Sequence, residues 1–267
     1  MISIPPDLER IIDDAWEATK GVPGYLVENE ARFLGVLAAL VPAKGAIVEI
    51  GSFRGRSTVM LAKVASHYGL GPIIAIDPHN SPILLPSGGE ASSFDDFRSS
   101  IRAAGIEQHV EPHVAYSKDV SPTWTRPIRF LWIDGDHSYL GAKTDFDGFL
   151  PHVAPGGVIA LHDSLSNFDG PIRVFVEEML RSDQFGPAGF VHSIAWSQFR
   201  PSDGRVFARQ RENLARRASR LIPFVEEGRE LRGLEKIRYK LTRSRIPRFP
   251  LTYRAWADQL GSTPGET

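Results

Sequence analysis

Apolar residues along this chain fall into two alternating patterns, runs at helical spacing and short continuous blocks. A helix is predicted from just after Pro5 and Pro6 to about Thr19. A second runs from about Val27 to Leu40, with Phe33, Leu34, Leu37 and Val41 on one face, stopped by Pro42 and Gly45. "AIVEIG" then reads as a buried strand closed by glycine. Residues 57–66 are helical again, and "PIIAID" is a second strand ending in an acid. The alternation continues with a helix over about 94–104 and a weak strand, "HVEPHVAY", whose Pro112 points to a sheet edge. "IRFLWID" is a clear strand. A helix over 139–150 follows, with Tyr139, Ala142, Phe146 and Phe149 on its apolar face. "GGVIALHD" is the next strand, then a helix over about 171–182. Two last strands, about 188–195 and 205–209, flank "RPSDG", a sequence of hairpin-turn type.

Strand–helix alternation with near-continuous apolar strands predicts an α/β fold. The expectation is a Rossmann-like, doubly wound, mostly parallel seven-stranded sheet with a terminal antiparallel hairpin. The predicted organisation is an N-terminal helical segment (1–26), a central domain (27–210) and a basic helical C-terminal appendage (211–267) broken by "RSRIPRFP".

Composition narrows the setting. The 267 residues include no cysteine, which excludes disulfides and thiolate chemistry and fits a reducing, cytoplasmic compartment. "MISIPPDLERIIDDAW" is acidic where a signal peptide would be basic, and the longest apolar run, "FLGVLAALV", is far short of the roughly 20 residues of a membrane span. A soluble protein without a membrane span is expected. The net charge of −1 conceals an asymmetry: residues 201–267 carry 15 Lys and Arg against 8 Asp and Glu. Solvated amphipathic helices, packed on the domain or forming a homodimer, account for that basic tail. Nucleic acid is not expected, because no basic stripe interleaved with aromatic residues is present.

In an open parallel sheet, ligands bind outside the carboxyl ends of the strands. Here those ends are Glu49-Ile50-Gly51, Asp77-Pro78-His79, Asp134-Gly135-Asp136-His137 and His162-Asp163-Ser164. The first turn, "EIGSFRGRST", spaces its glycines Gly51 and Gly55 four apart and lacks the G-x-G-x-x-G set that holds a pyrophosphate. Asp77 lies 22 residues beyond Gly55, where an acid can accept both ribose hydroxyls of a nucleoside. A nucleoside without a pyrophosphate suggests S-adenosylmethionine.

With "VEIGSFRGRST", "AIDPH", "FLWIDGDHSY" and "LPHVAPGGVIALHD" in this order, the sequence resembles the class I S-adenosylmethionine-dependent methyltransferases. It is most similar to the branch of sugar O-methyltransferases of macrolide, aminocoumarin and mycobacterial glycan biosynthesis. The resemblance covers about Val27 to Asp163. It implies cofactor contacts from Glu49, Gly51, Ser52 and Gly55 around the methionine moiety, with Ser57 opening the following helix. It also implies Asp77 on the ribose with His79 nearby, Ser117 beside the adenine, and Asp134 at the edge of the cofactor site.

The branch binds Mg²⁺ through an acid at the Asp134 position and a polar pair at 162–163, commonly Asp-Asp, Glu-Asp or Asp-Asn. Here the pair is His162-Asp163. An imidazole suits Mn²⁺, Fe²⁺ or Zn²⁺ better than Mg²⁺. The expected ligands are therefore Asp134, His162 and Asp163, around Mg²⁺ or Mn²⁺, with His162 alternatively orienting Asp163 or touching the acceptor. His137 and Asp136 are the candidate general bases, Asp136 being alternatively a cap of the helix near Ser138, while Asp145 and Asp147 read as solvated helix acids. The implied activity is O-methylation of a sugar, oligosaccharide or glycosylated metabolite. RNA or a catechol-like acceptor, or a non-catalytic cofactor-binding subunit, are the alternatives. The loop from His79 to Ser93, the segment around Tyr25 and the tail are candidate roofs for the acceptor. Trp124, Trp132, Trp196 and Trp256 are candidates either to stack on a sugar or to fill the core.

Overall fold

The computed structural model describes residues 2–80, 83–84, 90–225, 231–249 and 252–261. In chain order the elements are α1 (Leu8–Thr19), α2 (Glu28–Leu40), β1 (Ala46–Ile50), α3 (Arg56–His67) and β2 (Ile73–Ile76). Then come two short strands, β3 (Ile83–Leu84) and β4 (Glu90–Ala91), followed by α4 (Ser93–Ala103), β5 (Val110–His113), α5 (Ser117–Val120), β6 (Ile128–Ile133) and α6 (Tyr139–Phe149). The chain continues through β7 (Val153–Leu161), α7 (Asp169–Val174), β8 (Phe185–Val191), β9 (Ile194–Phe199), α8 (Ala208–Ala218), α9 (Ile222–Val225), α10 (Gly233–Ser244) and α11 (Tyr253–Gly261).

Seven strands form one sheet in the order β5-β2-β1-β6-β7-β9-β8. β5, β2, β1, β6 and β7 are parallel, and β9 and β8 run antiparallel. Successive side chains of a strand point to opposite faces, so apolar blocks such as "IRFLWI" feed two cores at once. Ile47, Phe130, Trp132, Val158 and Ala160 pack under α1, α2, α3 and α11. Val48, Leu131, Ile133, Ile159 and Leu161 pack under α6, α7, α8 and α10. Pro112 lies in β5, an edge strand, where its missing N–H costs no ladder bond.

The hairpin differs from expectation. Its turn is His192-Ser193, between Val191 and Ile194, and "RPSDG" follows the last strand instead of separating two. Residues 205–209, predicted as strand, instead fall in a short 3-10 turn (Gly204–Phe207) and the start of α8. The turn escapes notice because its left-handed position is filled by His192 (φ 51°) and not by glycine or asparagine. The helix predicted over 171–182 is α7 extended by a wide π turn, Phe175–Leu180.

The C-terminal segments pack onto the sheet. Trp256 is fully buried, its ring 4.6 Å from Phe33 on α2 and 4.5 Å from Trp196 on β9. Trp124, Trp132 and Trp196 are buried as well, so all four candidate sugar-stacking tryptophans belong to the interior. Along β8, the Phe249 N–H donates to the Phe190 carbonyl at 2.7 Å and the Gln210 amide donates to the Ala188 carbonyl at 2.6 Å. No helix among the described residues is long and apolar enough to cross a membrane.

Candidate active site

The chain leaves β1 for one side of the sheet and returns through β6 on the other, so a crevice opens at the carboxyl ends of these neighbouring strands. Gly51 sits at its base with φ 87°, and its backbone lies so close to the Asp134 carbonyl and the Gly135 nitrogen that a Cβ would collide with both. A cavity of about 1090 Å³ rises from this point, lined by Ser52, Asp77, Ser117, Asp134, His137 and Asp163 among others.

On the β1–β2 side, Asp77 accepts the Phe53 N–H and the His79 N–H, each at 2.7 Å, one on each carboxylate oxygen. Phe53 and His79 both hold positive φ, 47° and 51°, and the ionised carboxylate fixes these two turns. Each oxygen keeps a lone pair toward the cavity. Gly51, Ser52 and Ser57 also border the cavity, as expected.

Three other expected cofactor residues lie elsewhere. Glu49 is fully buried beneath the turn, where Ser57 and Thr58 each donate to it at 2.5 Å, because its place on β1 directs the side chain at the start of α3. Burial pushes its pKa up to about 7 against those two hydrogen bonds. Gly55 (φ 90°) meets the Phe97 ring and gives α3 its entry angle. The His79 ring turns away from the cavity toward Ser93, 3.0 Å from Nδ1, and packs on Phe94 and Phe97.

Ser117 borders the cavity and donates to Asp145. Asp145 is not the solvated acid its helix suggested: it is buried, and burial pushes its pKa up to about 6, only partly offset by Ser117. Asp147 does pair with Lys143 at the surface, at 2.6 Å.

On the β6–β7 side the structure brings Asp134, His137, His162 and Asp163 together. His162 Nδ1 lies 2.9 Å from Asp134 Oδ1 and 3.7 Å from Asp163 Oδ2. His137 Nε2 lies 3.4 Å from the same Asp134 oxygen and 3.7 Å from Asp163, its ring stacked on Phe168 at 4.6 Å. Asp163 (φ 51°) uses its other oxygen to accept from Ser166 Oγ at 2.7 Å, which aims Oδ2 inward. Asp136 instead accepts the Ser138 N–H and Oγ–H at 2.9 and 3.0 Å; the cap of α6 is Ser138 itself, whose Oγ accepts the Gly141 N–H at 3.1 Å, and not Asp136.

Burial penalises charge on Asp134, but the neighbouring His162 and His137 outweigh it and lower its pKa. Burial likewise opposes the imidazolium of His162, yet Asp134, Glu30 and Asp163 push its pKa up to about 11. His162 itself therefore carries positive charge between Asp134 and Glu30. Asp134, His137 and His162 each present a ligand atom within 4.8 Å of the others, and the His137 Nε2 is buried without a hydrogen-bond partner. This mixed oxygen and nitrogen donor set fits a divalent cation.

Residues 48–164 match the sequence model of a family described as a methyltransferase domain. The match covers less than half of the chain. The methyltransferase NovP, an O-methyltransferase, shares the fold with a TM-score of 0.59 at 14% identity, covering 72% of this chain and 98% of NovP. An O-methyltransferase from Bacillus cereus in complex with SAH has a TM-score of 0.50 at 20% identity, over 74% of this chain and 93% of its own. CalS11, a TDP-rhamnose 3'-O-methyltransferase of calicheamicin biosynthesis, has a TM-score of 0.50 at 14% identity, over 74% and 96%. These likenesses are of fold. Among curated proteins, uncharacterized protein R132 of Acanthamoeba polyphaga mimivirus is 29% identical over 119 residues, 43% of this chain. The chain spans about half the length of that relative.

Within and beside the matched segment, sequence reasoning missed two acids. Glu30 on α2 is 2% exposed and touches His162 Nε2 at 3.3 Å. Asp145 supports Ser117. Both left the same trace: each lies one helical turn from apolar residues (Phe33 and Leu34 for Glu30, Ala142 and Phe149 for Asp145), so an acid occupies a buried face. Tyr25, at the cavity mouth and 6.4 Å from the Phe53 ring, was anticipated as part of a roof. The loop over 79–93, anticipated as a lid, lies partly outside the described residues.

Proposed function

We propose that this chain is an S-adenosylmethionine-dependent O-methyltransferase acting on a hydroxyl of a sugar, oligosaccharide or glycosylated metabolite with the help of a divalent metal. The observation that carries the reading is the placing of a nucleoside-type acid, Asp77, and a carboxylate–imidazole cluster, Asp134, His137, His162 and Asp163, on one cavity. The fold likeness to a TDP-rhamnose 3'-O-methyltransferase supports a sugar acceptor.

Asp77 holds the ribose hydroxyls, and Ser117, steadied by Asp145, sits beside the adenine. S-adenosylmethionine, when bound, supplies a methyl group already activated by its sulfonium, so the protein has mainly to align the acceptor and remove a proton. A divalent ion held by Asp134, Asp163 and His162 would draw an acceptor hydroxyl into place and lower its pKa. His137 accepts the proton at Nε2. What favours it over Asp136 is that Nε2 has no hydrogen-bond partner and lies 3.4 Å from Asp134 and 3.7 Å from Asp163, whereas Asp136 is turned onto Ser138. Phe168, stacked on His137 with ring centroids 4.6 Å apart, covers one face of the imidazole.

The test is transfer of labelled methyl from S-adenosylmethionine to a panel of sugars, short glycans, catechols and RNA, with and without EDTA. Label in a sugar that EDTA removes and one added metal restores supports the whole reading. Label confined to RNA or catechols overturns the acceptor class. Label indifferent to EDTA overturns the metal.

A further inference from the structure

The substitution of histidine at position 162 for an oxygen donor has a structural counterpart 132 residues earlier in the chain. Glu30 is buried, and every group around it donates. Its Oε2 accepts the Val27 N–H at 3.2 Å and faces His162 Nε2 at 3.3 Å. Its Oε1 accepts the Ser193 N–H at 3.2 Å and the Ser193 hydroxyl, and faces His192 Nδ1 at 2.8 Å. A carboxylate so surrounded has a fixed orientation and no proton of its own to give. His162 Nε2 must therefore carry a hydrogen in that contact, so that an ion bound by this ring has to be taken at Nδ1. The Trp132 ring, 5.4 Å from that of His162, restricts the imidazole to this plane. Nδ1 points at Asp134 Oδ1, 2.9 Å away. At that distance Nδ1–H donates to the Asp134 carboxylate, and an ion taken at Nδ1 would displace that one proton while Nε2–H stays on Glu30.

We infer that Glu30, held by the His192-Ser193 turn, sets the tautomer of His162 so that Nδ1 is a metal ligand, which makes this a site for a nitrogen-accepting divalent transition ion of the Mn²⁺, Fe²⁺ or Zn²⁺ type in preference to Mg²⁺. The inference rests on the metal-assisted reading above and concerns which ion that site takes. Mg²⁺ demands oxygen ligands and holds its waters, whereas imidazole adds affinity for the softer ions. A carboxylate behind a histidine ligand fixes the ring and raises its basicity, and losing such a partner costs 10–100-fold in metal affinity as a rule. Glu30 is thus a positioning residue reaching the site through His162, supplied by a helix that precedes the matched methyltransferase segment.

The test uses the full chain stripped of metal and dialysed separately against Mn²⁺ and Mg²⁺, with pulsed EPR of the Mn²⁺ form to detect nitrogen coupling. Mn²⁺ should bind at least about tenfold more tightly than Mg²⁺, with ¹⁴N coupling that weakens in His162→Asn. Glu30→Gln should lower Mn²⁺ affinity about 10–100-fold and leave Mg²⁺ affinity within about twofold. Because Glu30 is buried, His192→Gln provides a gentler variant: it removes one donor at a half-exposed position and should weaken Mn²⁺ a few-fold while the melting temperature stays close to that of the parent. Equal Mn²⁺ and Mg²⁺ affinity, or nitrogen coupling unchanged in His162→Asn, overturns this inference and leaves metal assistance standing. Binding of neither ion overturns both. A Glu30→Gln protein that is folded, less stable and unaltered in metal preference assigns Glu30 a purely structural role and overturns the inference as well.

Discussion

Gly51 and Asp134 meet backbone to backbone: the left-handed Gly51 lies flat against the Asp134 carbonyl, where any side chain would collide. The floor of the cavity is therefore made by main chain from two strands in contact, with the turn after β1 and the first acid of the cluster locked together. Gly51→Ala should destabilise the fold by about 2–4 kcal/mol through the positive φ and the collision combined, as read by urea denaturation. A stability unchanged within error would show that the turn has another conformation available.

Asp77 is the acid that both fixes the two turns and faces the cavity. Asp77→Asn preserves its shape while removing the charge behind two backbone hydrogen bonds and the proposed ribose bonds. The expected result is S-adenosylmethionine binding weakened about 10–100-fold by calorimetry, from 1.5–3 kcal/mol per charge-assisted bond. Equal affinity would remove Asp77 from the cofactor site.

His137 and Asp136 separate by their hydrogen bonding. His137→Ala should lower kcat about 10²–10⁴-fold, the usual worth of a general base, with the affinity for S-adenosylmethionine unchanged. Asp136→Asn should cost less than about tenfold, since the amide can still accept from Ser138. The opposite order would make Asp136 the base.

Asp145 offers a pH signature. Its pKa is raised by burial from 3.8 to about 6, so the folded state holds this proton more tightly than the unfolded one. The resulting stability is fully present below about pH 4 and is lost as pH rises through 6. Asp145→Asn should therefore raise the melting temperature at pH 8 relative to the parent, by at most about 3 kcal/mol of stability, and have little effect at pH 4. A variant less stable at both values would mean that Ser117 depends on the carboxylate more than burial penalises it.

Trp256 tests whether the C-terminal segment is part of the fold. Its ring is enclosed by Phe33, Trp196 and Phe249. Trp256→Ala should cost about 3–5 kcal/mol in denaturant unfolding, the range for large aromatic side chains in a core. A loss under 1 kcal/mol would show that this helix is dispensable.

Much of this architecture could be read from strands buried on both faces, because such strands need apolar residues at every position and "IRFLWI" or "GGVIAL" has few other uses. Asp77, Asp134, His162 and Asp163 were legible for a related reason: a charged residue at the end of a fully apolar strand stands where the sheet delivers it to one edge. Glu30 and Asp145 were not, since on a helix a single acid can face water or core, and only tertiary packing decides. Glu49 misled in the opposite sense. It belongs to the motif, but strand alternation sends its side chain into the protein and not into the cavity. The hairpin was displaced because "RPSDG" has the composition of a turn, whereas His192-Ser193 takes its shape from the strands on either side.

The hydrogen bonds along β8 bear on how copies of this chain can associate. β8 is the outer strand of the sheet, and a bare outer strand invites pairing with another. Here the carbonyls of Ala188 and Phe190, two residues apart and so directed to the same side, are taken by Gln210 and Phe249. Pro187 has no N–H to offer between Gly186 and Ala188. Zippering of two sheets into one across this border would first require the C-terminal chain to be peeled away. Association of intact copies is thereby directed to side-chain surfaces, and the segment after β9 acts as a selvedge that keeps the sheet finite.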